Sequence, residues 1–176
     1  MTGPNSQANL EILRKRAKVL ASSSEDEQSG ALVGTVVVLE LGDHRVGLSL
    51  SALDEIVPLT PIAALAGLPS WLPGIAQVRG RIVSVLDLHA WLKMTGHISP
   101  RYLVVVSCAV GTMGILVEAI GEVRIVHAKD LAESLTTDRT RGLLATTKDL
   151  TSILDIDVLL SHPDMLVDHG ATRDSV

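Results

Sequence analysis

The fold is decided by one stretch, Gly74-Ile-Ala-Gln-Val-Arg79-Gly80-Arg-Ile-Val-Ser-Val-Leu86-Asp87-Leu88. It returns 68 residues later in degenerate form, as Gly142-Leu-Leu-Ala-Thr-Thr-Lys-Asp-Leu-Thr-Ser-Ile-Leu154-Asp155-Ile156. At this constant offset the identical pairs include Gly74 and Gly142, Ser84 and Ser152, Leu86 and Leu154, Asp87 and Asp155, and Leu92 and Leu160. A repeat of this kind indicates two builds of one small structural unit, one in each half of the chain.

The pattern around the repeat predicts short strands. Residues 47–56 resemble residues 114–123 at an offset of 67, so the similarity extends upstream of each copy. Between residues 33 and 160, β-branched apolar segments alternate with Gly, Pro and Asp turn signals, which predicts about ten strands. That number is too large for one small open sheet, and no βαβ alternation is present. We therefore predict a mainly β protein of two small five-stranded SH3-like β-barrels with short helices.

Local signals locate individual elements. Strands are predicted at residues 35–41 and 45–50 around a hairpin at Gly42-Asp43-His44, and at residues 81–86. Residues 51–56 have the pattern of a helical turn, and short helices are expected at residues 88–94 and 157–160.

Composition argues against several functional classes. Hydrophobic residues make up 47% of the chain and aromatic residues 2%, so the core must be aliphatic. The net charge of −5 and the shortage of aromatic rings argue against nucleic-acid binding, which needs a basic face or stacking platforms. No apolar run approaches the roughly 20 residues of a membrane helix, and the N-terminus lacks a signal-peptide pattern. We expect a cytoplasmic protein without direct membrane insertion.

The chain divides into three regions that differ in amino-acid composition and pattern. Residues 1–30 are predicted as an amphipathic helix followed by a flexible linker, residues 31–160 as the two-barrel domain, and residues 161–176 as a C-terminal tail. The helix is indicated by Leu10, Leu13, Ala17 and Leu20 at helical spacing beside Arg14, Lys15, Arg16 and Lys18. About three turns are marginal in water, so this segment is expected either to dock on an apolar surface or to remain a solvated tail.

The two copies differ at their glycine loop. The first copy has Arg79-Gly80 where the second has Thr147-Lys148. An arginine on a turn presents a planar fork of donors that suits a partner's carboxylate or carbonyl oxygens. The residues alone leave a second interpretation open, in which Arg79 forms an internal ion pair or clamps the two barrels together.

Asp87 and Asp155 occupy equivalent positions in the two copies. Their duplication predicts a structural role, with each carboxylate accepting backbone N–H groups where a strand ends. His89 follows Asp87 by two residues and suggests an acid/base dyad, but no nucleophile motif accompanies it. The other histidines have no ligand spacing, so we expect neither a metal site nor a cofactor.

These motifs together resemble the CheW-like family of chemotaxis coupling proteins. The resemblance covers roughly residues 33–160 and keeps the order of the family's motifs. The family's Asn-Leu-Arg-Gly-like turn and its Leu-Asp-Leu ending are matched by Gln77-Val78-Arg79-Gly80 and Leu86-Asp87-Leu88, although Gln77 replaces the usual Asn. The remaining matches are the strands of residues 36–50, Glu55-Ile56, the Pro-rich approach of residues 68–74, and residues 114–123.

The resemblance implies a non-enzymatic adaptor. Its expected partners are the cytoplasmic tip of a methyl-accepting chemoreceptor and the regulatory domain of a CheA-type histidine kinase, with recruitment to membrane-associated receptor arrays. The residues implied in partner binding are Leu53, Glu55, Gly74, Arg79 and Gly80. For Leu53 and Glu55 the residues alone equally allow a core leucine and a solvated charge. An adaptor of a pilus-driven or non-motility pathway, and a small hydrolase using Asp87 and His89, are the alternatives.

Overall fold

The computed structural model of the chain describes residues 32–132 and 141–165. These residues form two short α-helices and eleven strands. The strands are β1 (Leu32–Leu41), β2 (His44–Ser49), β3 (Leu53–Pro58), β4 (Ile62–Ala63), β5 (Gly74–Val78), β6 (Arg81–Leu86), β7 (Tyr102–Cys108), β8 (Gly111–Val117), β9 (Ala119–His127), β10 (Leu143–Thr146) and β11 (Thr151–Leu154). The helices are α1 (Leu88–Trp91) and α2 (Ile156–Leu160). The prediction of a mainly β protein with short helices is confirmed.

The strands form two sheets. Sheet 1 has five strands in the order β10-β11-β2-β1-β9, and sheet 2 has six in the order β3-β7-β8-β6-β5-β4. Each sheet contains one parallel pair, β11 with β2 in sheet 1 and β6 with β8 in sheet 2. The sixth strand of sheet 2 is the two-residue β4 at its edge. Closure of each sheet into a barrel stays a prediction.

The two halves of the chain exchange their hairpins. The hairpin β1–β2 of the first half pairs with β9 and β11 of the second, and the hairpin β7–β8 pairs with β3 and β6 of the first. The order β10-β11-β2-β1-β9 therefore matches β5-β6-β8-β7-β3 position by position. Each sheet draws strands from both halves, which corrects the expectation that each half builds its own unit.

The main core joins the two sheets. Leu39 and Leu48 of sheet 1 and Leu86 and Ile115 of sheet 2 belong to one buried cluster, together with Trp91 of α1. A second cluster lies on the other face of sheet 2, and its buried members are Ala76, Val78, Val83, Val85, Leu103, Val105 and Leu116. Apart from Trp91, the largest fully buried side chains among the described residues are aliphatic, as the composition requires.

Local predictions succeeded where neighbouring residues determine the structure. The strand predicted at residues 81–86 is β6, and the predicted hairpin joins β1 to β2. The helical turn predicted at residues 51–56 is wrong beyond its start, because only Leu50–Ala52 form a 3-10 turn and Leu53–Pro58 are strand β3. Pairing with β7 overrides the local pattern there. Strands β5 and β10 were not predicted, since each depends on pairing with the following strand.

Both ends of the chain extend past the described region. The predicted N-terminal helix and linker, residues 1–30, lie outside it, as do residues 166–176 of the predicted tail. Within the predicted tail, Pro163–Met165 form a 3-10 turn and Met165 packs against the main core. Among the described residues, no helix has the length and apolar character needed to cross a membrane.

Candidate functional site

Arg79 and Gly80 form the two-residue turn between β5 and β6. Val78 pairs with Arg81 across it, and φ is +48° at Arg79 and +83° at Gly80. Two consecutive positive φ angles are typical of a type I′ turn, whose twist matches that of the flanking strands. Gly80 adopts this conformation freely, whereas a left-handed Arg79 costs about 1–2 kcal/mol. Strained backbone conformations cluster at functional sites in proteins, so the strain at the exposed Arg79 makes it a candidate functional residue.

Glu55 of β3 pairs with the arginines at this turn. Its Oε2 lies 2.6 Å from Arg79 Nε, and its Oε1 accepts a hydrogen bond of 3.0 Å from Arg81 Nη2. The Glu55 side chain is only 15% exposed, so it is not the isolated solvated charge that the sequence allowed. We call Glu55, Arg79 and Arg81 the Arg79 cluster. It joins two parts of sheet 2 and does not clamp the two sheets together.

The Arg79 cluster presents positive charge to solvent. The Arg79 side chain is 76% exposed, and one carboxylate faces two guanidinium groups. An exposed ion pair contributes only about 0–1 kcal/mol to stability, so Glu55 orients Arg79 more than it stabilises the fold. The donors of the Arg79 fork beyond Nε stay accessible to a partner's carboxylate or carbonyl oxygens. The sequence did not single out Arg81, although its position directly after the turn was a usable signal.

Leu53 and Gly74 lie outside the Arg79 cluster, Leu53 at the start of β3 and Gly74 at the end of β5 that is away from the Arg79 turn. Leu53 is half-buried and packs against the main core. Gly74 is buried with φ +149°, and a Cβ placed there would lie 2.1 Å from the carbonyl oxygen of Ala63. The glycine therefore lets β4 approach β5, and it would shape a partner surface through the backbone rather than by contact.

The second turn, residues 147–150, carries an ion pair of reversed polarity. Asp149 lies on the turn and accepts hydrogen bonds of 2.8 and 3.2 Å from Arg124 of β9. Arg45 of β2 also pairs with Asp149, at 3.4 Å. In the first copy the turn supplies the arginine and β3 the carboxylate, whereas here the turn supplies the carboxylate. Sequence reasoning missed this pair, which opposite charges near the aligned turns could have indicated.

The pKa of Asp149 lies well below its ordinary value, chiefly because Arg124 donates to the carboxylate and secondarily because Thr147 does. A carboxyl whose pKa is lowered on folding adds stability above its unfolded pKa of about 3.9, and this stability is lost as the pH falls through the folded value. We expect that the free energy of unfolding of Asp149→Asn falls less steeply than that of the wild type as the pH is lowered from 5 to 2. Urea midpoints across that range test it, and an unchanged slope would contradict it. Because 43% of the side chain is exposed, the effect should be modest.

Asp87 and Asp155 cap the two helices. Asp87 Oδ1 accepts from the Ala90 backbone N–H at 2.9 Å, and Asp155 Oδ1 accepts from Val158 N–H at 3.1 Å. Both residues are therefore placed as N-caps at the start of α1 and α2.

We expect Asp87→Ala and Asp155→Ala each to lower the free energy of unfolding by about 0.5–2 kcal/mol, because each leaves a helical N–H without its acceptor. Chemical denaturation measures the effect, and Asp157→Ala, one residue into α2, is the matched control. Midpoints equal to wild type in both cap variants would argue against the structural role.

His89 and Asp87 are engaged separately. The Asp87 carboxylate caps α1, while His89 Nε2 lies 3.2 Å from the carbonyl oxygen of Thr95. His44 Nε2 contacts the same oxygen at 3.2 Å. This arrangement does not favour the hydrolase alternative. Within residues 32–132 and 141–165, no group of three or more His, Cys, Asp or Glu side chains is placed to hold a metal ion.

The amino-acid sequence is similar to those of known proteins. A sequence model described as "CheW-like domain" matches residues 35–164. Chemotaxis protein CheW of Klebsiella aerogenes is 28% identical over 153 residues, which cover 81% of this chain and 92% of that protein. A probable chemotaxis protein CheW of Rhizobium etli is 23% identical over 137 residues, covering 73% of this chain and 88% of the relative.

A solved structure shares the fold. The crystal structure of the scaffolding protein TtCheW from Thermoanaerobacter tengcongensis superposes with a TM-score of 0.63 at 23% sequence identity. The match covers 74% of this chain and 94% of that structure. At this level of identity the superposition supports the arrangement of the strands alone.

Proposed function

The chain belongs to the CheW-like domain family, and on that premise we propose that it is a non-enzymatic adaptor that couples chemoreceptors to a CheA-type histidine kinase. Its sequence relatives are named as chemotaxis proteins, and the protein with the similar structure is named as a scaffolding protein. An adaptor works by positioning, since chemistry stays in the kinase and the signal is a coupling free energy between two binding sites. Its place in the cell would then be the cytoplasmic side of a receptor array.

One observation carries the proposal most directly. In the Arg79 cluster an exposed guanidinium lies on a strained turn, and the largely buried carboxylate of Glu55 orients this guanidinium. A fork held in this way loses less conformational freedom on binding, which favours recognition of acidic or carbonyl-rich helical surfaces. We assign the chemoreceptor tip to this surface, and we propose that Leu53, Gly74 and Gly80 contribute to the same binding region.

Reconstitution tests the function. The full chain is combined with purified kinase and with vesicles carrying the receptor from the same organism, and kinase autophosphorylation is followed with labelled ATP. The rate should rise only when chain, kinase and receptor are all present, and attractant should lower it. An equal rate without the chain, or activation by the chain without receptor, would overturn the adaptor proposal.

A further inference from the structure

Strand β9 leaves an apolar surface uncovered. It is an edge strand of sheet 1, and its side chains Val123 and Ile125 are 57% and 58% exposed. They are two residues apart in a strand and therefore project from the same face. Val33, in the bulge at the start of neighbouring β1, is also exposed. We call Val33, Val123 and Ile125 the β9 patch.

The β9 patch continues the face of the main core. Val123 lies opposite Val37 of β1, and Ile125 lies opposite Thr35. Residues directly opposite in an antiparallel pair share a face, and Val37 is buried in the main core. The core face therefore runs out to the edge of sheet 1, where the described residues do not cover it.

The length of β9 makes this edge unusual. It has nine residues, whereas the other edge strands β3, β4 and β10 have six, two and four. A long edge with exposed aliphatic side chains invites pairing with other chains, and proteins commonly protect such edges with a helix or a loop. Strand β3, the next longest, ends in Pro58, which cannot donate to a further strand.

We propose that the N-terminal segment of this chain, residues 10–20, covers the β9 patch with its apolar face of Leu10, Leu13, Ala17 and Leu20. The segment is joined to β1 at Leu32, which pairs with His127 at the end of β9, so the chain leaves the fold beside the patch. The twelve residues from 20 to 32 span up to about 40 Å when extended, which is ample reach. The short tether also gives a high effective concentration for docking.

Charge complementarity favours the same occupant. Asp130 lies beyond the patch, in the turn after β9, whereas Glu122 neighbours Val123 in the strand and projects from the opposite face together with Arg124. Both carboxylates lie close enough to Arg124, between them, to add to the raising of its pKa, which comes first from its hydrogen bond with Asp149. In a helix, Arg14, Arg16 and Lys18 of the segment would flank its apolar face, whereas Lys15 would lie on the opposite side. Docking would place the flanking cations within reach of Asp130.

Zero-length cross-linking of the full chain tests the proposal. A carbodiimide joins a lysine amine only to a carboxylate in contact with it, and peptide mass spectrometry identifies the pairs. We expect links from Lys18 to Asp130 in the wild type. Leu13→Asp should lose most of them by disrupting the apolar face, whereas Gln28→Asp, outside that face, should keep them.

A second pair of variants addresses the patch itself. Ile125→Asp should also lose the links, while Val110→Asp, an equally exposed position on the β7–β8 turn, should keep them. Mixing isotope-labelled and unlabelled chains separates the possible occupants. Links between labelled and unlabelled chains would show that a second copy covers the patch. That result, absence of the links in wild type, or undiminished links in Leu13→Asp would each overturn the proposal.

Discussion

Arg79→Glu is expected to abolish receptor binding while leaving the fold intact. The variant replaces an exposed cation with an anion next to Glu55, so a receptor surface that accepts hydrogen bonds from Arg79 would meet two carboxylates. A misplaced charge in an interface costs several kcal/mol, or a loss of affinity on the order of a hundredfold or more. The melting temperature should change little, because the side chain is largely exposed and its ion pair is weakly stabilising. Receptor-vesicle co-sedimentation and circular dichroism melts provide the two measurements.

A charge swap separates partner binding from internal pairing. The double variant Glu55→Arg/Arg79→Glu keeps an ion pair between strand β3 and the turn but reverses its polarity. If the receptor contacts the Arg79 guanidinium, binding should stay lost in the double variant. Recovery of binding would show that only the internal pair matters, and a large drop in melting temperature for Arg79→Glu alone would assign the arginine a structural role. Arg101→Glu, an exposed arginine before β7, controls for net charge.

Gly74→Val is expected to have the largest effect on stability. The first added carbon would lie 2.1 Å from the Ala63 carbonyl oxygen, which belongs to backbone and cannot rotate away. The φ of +149° adds strain for any L side chain. Together these effects should lower the free energy of unfolding by about 3 kcal/mol or more, or displace β4 from the edge of sheet 2. Urea denaturation measures the loss.

Gly80→Ala is the matched control. Gly80 also has a positive φ, +83°, but a Cβ there would meet no atom of the described structure within 4 Å. It should therefore lose only the cost of the left-handed conformation, about 1–2 kcal/mol. Equal denaturation midpoints for Gly74→Val and Gly80→Ala would show that β4 does not press on Gly74 and that strain alone accounts for the loss.

The strand pattern and the first turn could be read from the sequence because neighbouring residues determine them. The β-branched residues Ile82, Val83 and Val85 favour a strand at Arg81–Leu86 wherever it pairs, and the Arg79-Gly80 step before it suits a turn with positive φ. The repeat of Asp87 at Asp155 likewise predicted a structural role at the two strand ends, and each carboxylate lies at the start of a helix. For the turn and the two caps, the partner atoms are within four residues along the chain.

Only the tertiary structure decided which distant residues meet. Glu55 and Arg81 are 26 residues apart, and their contact depends on how sheet 2 brings β3 toward the β5–β6 turn. The exchange of hairpins between the halves is equally non-local. The two strands of a hairpin pair with each other in any case, whereas the strands that flank the hairpin in the sheet are selected by the packing of the shared core. The reversed pair of Arg124 and Asp149 follows from that choice. Sequence patterns record the conformation of each segment, whereas long-range pairing is set by the packing of the whole chain.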